Sequence, residues 1–111
     1  IAALEARLDA VTENAEAGWV TVNTTPYNVS GIVGGLLVNT LSGAKTINLP
    51  SANGYLNRVL VIKDDSGLAT TNHITVIPAG TDTIDDEPVM VIDSNYAGFQ
   101  LKATSSGWEI V

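Results

Sequence analysis

Cysteine is absent from the 111 residues, so neither a disulfide framework nor a thiolate zinc site can hold the chain together. Basic residues are scarce: 5 Lys and Arg stand against 12 Asp and Glu, a net charge of −7. That balance argues against a duplex nucleic-acid binder or a polybasic membrane patch. No apolar run approaches the ~18 residues of a membrane span, so no membrane insertion is expected. Charge of either sign is thin, at 15% of residues against roughly 25% in an ordinary soluble domain. The polarity comes instead from 12 Thr, 10 Gly, 9 Asn and 7 Ser. With 45% hydrophobic residues the chain is too apolar to stay disordered, and its length allows one compact domain. It does not begin with Met and carries no signal-peptide pattern, so it is expected to be a piece of a longer chain.

Residues 1–17 differ from the rest. Ile1, Leu4, Leu8, Val11 and Ala15 step by three and four, the a/d seam of a coiled coil over two heptads. Ala2, Ala3, Ala6 and Ala10 fill the other faces with the best helix former, and Gly18 stands where the helix would stop. So short a helix is marginal alone, and Asp9, Glu13 and Glu16 sit where the macrodipole disfavours anions. Partner helices are the simplest support. The seam does not fix their number.

From Trp19 the period changes to two. Val20 and Val22, Ile47 and Leu49, Ile74 and Val76, and Phe99, Leu101 and Ala103 each alternate with polar neighbours. These are half-buried strands. Turn signals separate them at Ser42-Gly43, Pro50 to Gly54, Asp64 to Gly67, Pro78 to Gly80, Ser94-Asn95 and Ser105 to Gly107. Seven or eight short, evenly spaced strands predict an all-β fold, a small antiparallel sandwich or jelly-roll-like barrel. The expected organisation is a coiled-coil stalk end over residues 1–17, a connector with a first strand over 18–35, and a β-rich head over 36–111.

Two strands, Val59 to Ile62 and Val89 to Ile92, are apolar on both faces. One face can pack on the domain's own core, and a neighbouring subunit would cover the other. Ile1, Leu4, Leu8, Val11 and Ala15, with Leu60, Val61, Val89 and Val91, are therefore the expected interface of a parallel homo-oligomer.

Catalytic chemistry is hard to assemble from this inventory. His73 is the only histidine, and no nucleophile-elbow, phosphate-loop, zinc-protease or dinucleotide motif occurs. His73 is expected at an exposed strand edge, Trp19 and Trp108 in packing positions, and the acidic run Asp82, Asp85, Asp86 and Glu87 in a solvated loop. Neither catalysis, cofactor nor metal is expected. Tyr27, Tyr55 and Tyr96, in loops rich in Asn, Ser and Gly, are the candidates for stacking on a sugar.

The strand-and-turn pattern has a likeness. Leu37-Val38-Asn39-Thr40, Ala44 to Pro50, Asn57 to Asp64, Ile74 to Gly80, Asp82 to Asp85 and the closing Gly107 to Val111 resemble a recurring pattern in tail fibres and tailspikes of tailed bacteriophages. The resemblance spans roughly residues 35–111 and carries over no catalytic or receptor-contacting residue. It implies a homotrimer in the virion, whose stalk ends in a β-rich tip contacting a bacterial surface glycan or lipopolysaccharide. A tail-needle knob, a trimerisation cap that sets the chains in register, and an accessory domain of a polysaccharide-degrading tailspike share that layout.

Overall fold

The computed structural model describes residues 18–111. The expected stalk positions Ile1, Leu4, Leu8, Val11 and Ala15 lie outside the described residues. From Trp19 the chain forms ten strands: β1 (Trp19–Val22), β2 (Tyr27–Asn28), β3 (Gly35–Val38), β4 (Lys45–Asn48), β5 (Val59–Asp64), β6 (Ile74–Ile77), β7 (Thr83–Ile84), β8 (Met90–Ile92), β9 (Gly98–Ala103) and β10 (Gly107–Ile110). One 3-10 turn, Ala52–Tyr55, stands between β4 and β5.

The strands build two sheets, one of six in the order β1-β3-β5-β9-β10-β7 and one of four in the order β2-β4-β6-β8. The all-β, two-sheet expectation holds, but the antiparallel part does not. Five of the eight strand pairings are parallel. The chain winds: β1, β3 and β5 stack in one sheet while β2, β4 and β6 stack in the other, so three successive coils lie in parallel. Only then does it reverse, with β8 antiparallel to β6 and β9 antiparallel to β5. A jelly roll has no such progression. The physical reason is that Ser42-Gly43 and Pro50 to Gly54 turn corners between sheets, where a hairpin turn would return the chain to its own sheet.

Residues 18–35, expected as a connector with a first strand, supply β1 and β2 to the sheets and Val22, Val29 and Val33 to the core. Asn side chains tie neighbouring coils: Asn39 donates to Asn23 Oδ1 at 3.0 Å, and Asn48 to Asn28 Oδ1 at 2.8 Å.

Between the sheets lie Leu36, Val38, Ile47, Leu60, Ile62, Ile74, Val76 and Leu101, all fully buried. Each contributes about 1.5–3 kcal/mol by leaving water. Trp108 packs among them, its ring 5.6 Å from that of Tyr55. The indole N–H finds no acceptor among the described residues. An unmade hydrogen bond costs about 1–3 kcal/mol, and burying the ring's area returns about 4–6 kcal/mol, so the site is favourable on balance. Trp19 does not pack inside. It is exposed on the outer side of β1, its ring lying over Gly35, where an added Cβ would collide with it.

Candidate binding surface

β5 alternates strictly. Leu60, Ile62 and Asp64 face the interior, and Val59, Val61 and Lys63 face outward. Leu60 is fully buried in the chain's own core, so it cannot belong to a contact between subunits. A buried carboxylate at the end of the inward row is the unusual feature. Asp64 Oδ1 accepts from the Thr40 hydroxyl at 2.7 Å and from the N–H groups of Ser66 and Gly67 at 3.1 and 3.0 Å. Its Oδ2 accepts from the N–H groups of Ala69 and Tyr96 at 3.0 and 2.9 Å. Burial by itself would raise the pKa of this carboxyl. Hydrogen bonds from Tyr96, Thr40, Ala69 and Gly67 outweigh burial and hold it at about 2.

Asp64 thereby fixes an exposed aromatic. The Tyr96 N–H is bound to Asp64, and the Tyr96 carbonyl accepts from Lys63 Nζ at 2.6 Å. Its ring lies against Gly67, which has φ +82° and no Cβ to displace it. Lys63 Nζ stands 5.4 Å from the ring centroid, within cation–π range. Tyr96 itself has φ +61°, a backbone state that bulky residues rarely occupy. It is 61% exposed, so its contacts with Gly67 and Lys63 leave most of the ring open to solvent.

Beside it lies a depression of about 410 Å³ on the outer face of the six-stranded sheet. Val61, Lys63, Tyr96, Phe99, Gln100 and Val111 line it, and Gly98, opposite Lys63 across the β5–β9 pair, leaves its floor low. The surface combines a rigid aromatic, an apolar wall, a primary amide and an ammonium. That set can stack on the C–H face of a sugar ring and bond its polar substituents.

The remaining predicted residues fall elsewhere. Tyr55 is a correction: it is 4% exposed, its hydroxyl accepting from the Val33 N–H at 2.7 Å and donating to the Val33 carbonyl at 3.1 Å. Its polar end is spent inside the fold, leaving nothing to meet a receptor. Tyr27 is half-buried against the core on the other sheet. Val91 pairs with Thr75 on the outer face of the four-stranded sheet, whereas Val61 faces out from the six-stranded one. Val89 and Val91 are both exposed and Val61 is half-buried, but the fold does not bring Val61 and Val91 onto one face.

His73 is exposed, its Nε2 3.1 Å from the Thr70 carbonyl oxygen. In the acidic run, Asp85 and Asp86 are the two left-handed central residues of a tight hairpin closed by paired Ile84 and Glu87 backbone bonds. Asp82 accepts from the Ala52 N–H at 2.9 Å, and Asp85 from the Ile110 N–H at 3.2 Å. Among the described residues no three His, Cys, Asp or Glu side chains are grouped to hold a metal ion.

Asp64, Lys63 and Gln100 were not candidates from sequence. Asp64 to Gly67 carries a turn signature, and a capping Asp has the same letters whether it is exposed or anchors three loops. Comparison with known family models gives no match, and comparison with curated proteins gives none either.

Proposed function

We propose that the chain is a non-enzymatic attachment module from the distal end of a tailed-bacteriophage fibre, acting as a homotrimer that binds a bacterial surface glycan. The observation that carries this reading is Tyr96: an exposed aromatic in a strained backbone state, held from three sides beside a half-apolar depression. Strain of that kind persists where surrounding structure over-determines it, and an exposed ring gains little from it without a ligand. The wound all-β architecture, the thin Ser/Thr/Asn surface charge and the strand pattern over residues 35–111 support the virion setting. Exposed Val59, Val89 and Val91 support burial against sister copies, with residues 1–17 joining the three chains as a coiled coil. Three equal shallow sites would then reach useful avidity from weak single contacts.

The test is binding of the purified chain to a bacterial glycan array and to host cells, with Tyr96→Ala as the comparison. Loss of binding by the variant, its circular dichroism unchanged, is the expected result. A trimer that binds no glycan would instead be a registration cap or needle knob.

A further inference from the structure

The structure assigns a charge to the ligand: resting on the reading of the Tyr96 surface as a sugar site, we propose that the bound sugar is acidic, its carboxylate or phosphate taken by Lys63. Among the described residues that line the depression, Lys63 alone has a charged side chain. Its ammonium has three N–H groups. One donates to the Tyr96 carbonyl at 2.6 Å and one, at 3.4 Å, to the carbonyl of Asp64. Both acceptors are neutral, so the positive charge is oriented without being cancelled, and one N–H remains for a ligand.

The carboxylate nearest in sequence cannot neutralise it. Both Asp64 oxygens are turned into the fold and engaged by five donors from Thr40, Ser66, Gly67, Ala69 and Tyr96. Gln100, facing out from the strand paired with β5, makes no side-chain hydrogen bond to another described residue, so its amide can bond neighbouring hydroxyls. On a chain of net charge −7, a cation held by two neutral carbonyls stands beside an exposed aromatic. A charge-assisted bond from it discriminates anionic from neutral sugars of the same shape.

The experiment uses three probes that share one ring: glucose, glucuronate and glucose 6-phosphate. Each is titrated into the full ¹⁵N-labelled chain at pH 7, following the amides of Lys63, Gly67, Tyr96, Gly98 and Gln100. Glucuronate, glucose 6-phosphate or both should shift these amides with a Kd about tenfold below that of glucose. The two anionic arms separate a carboxylate from a phosphate preference. Lys63→Arg should retain the preference and Lys63→Gln should lose it, its Kd for either anion rising to that for glucose, each variant being checked for an unchanged amide spectrum elsewhere. Glucose binding as tightly as both anions overturns the acidic-sugar proposal and leaves the sugar site standing. No shift at these amides with any of the three overturns both.

Discussion

At the scale of single residues, one carboxylate organises the surface. Asp64 is fully buried, and its pKa falls from 3.8 to about 2 on folding. A depressed carboxyl contributes stability that is complete above the unfolded pKa and lost as pH falls through the folded one. The shift corresponds to about 2 kcal/mol, present at pH 5 and gone below pH 2. Urea denaturation at several pH values in that window should show this loss in the natural chain and a flatter profile in Asp64→Asn. The variant should also be less stable by about 3 kcal/mol at pH 7, because its amide presents a donor where the fold supplies only donors. Gly67→Ala tests the neighbouring constraint. Its φ of +82° disfavours any Cβ, and that Cβ would strike the Tyr96 ring. A loss of about 1–2 kcal/mol is expected, with displaced Tyr96 ring resonances in the NMR spectrum. Tyr55→Phe should cost about 1–3 kcal/mol in the same denaturation measurement, since it strands the buried N–H and C=O of Val33.

At the scale of elements, periodicity was readable and direction was not. The alternation of Val20 and Val22, Ile47 and Leu49, and Phe99 to Ala103 correctly marks strands, because side-chain faces follow a period of two in any sheet. It carries no information on whether a neighbour runs parallel. Turn residues such as Ser42-Gly43 occur at corners between sheets as readily as in hairpins, so three coils stacked in parallel read as an antiparallel sandwich or barrel. The same limit applies to the doubly apolar strands. Val59 to Ile62 shows that both faces are apolar, but not which residue faces the domain's own core. β5 settles it with Leu60 inside and Val61 half-buried outside. Leu60→Asp should therefore abolish cooperative unfolding by placing a carboxylate in the core, and Val61→Asp should leave the unfolding midpoint nearly unchanged. The binding surface was legible only in Tyr96, since Lys63, Gln100 and the Asp64 anchor come together through the β5–β9 pairing and a loop beyond it.

At the scale of the whole molecule, the outer faces leave Trp19, Val59, Val89, Val91 and Val111 more than 40% exposed. Sister copies are the proposed cover, and every copy brings the same net charge of −7. Like charges oppose association, while burial of apolar surface favours it and is insensitive to moderate salt. Screening shortens from ~30 Å at 0.01 M to ~10 Å at 0.1 M ionic strength, so it removes repulsion without weakening the apolar contact. Association should thus strengthen as salt rises, with the mass from sedimentation equilibrium moving from 11.6 kDa towards three times that value. Leu8→Asp should shift the balance back towards the single chain by putting a carboxylate in the proposed seam. A mass fixed at 11.6 kDa across salt and concentration would remove the trimer. An acidic sugar held by Lys63 responds to salt in the opposite sense, because there screening removes an attraction. Measuring both on one preparation separates the two contacts: apolar self-association grows with ionic strength as charge-assisted sugar binding declines.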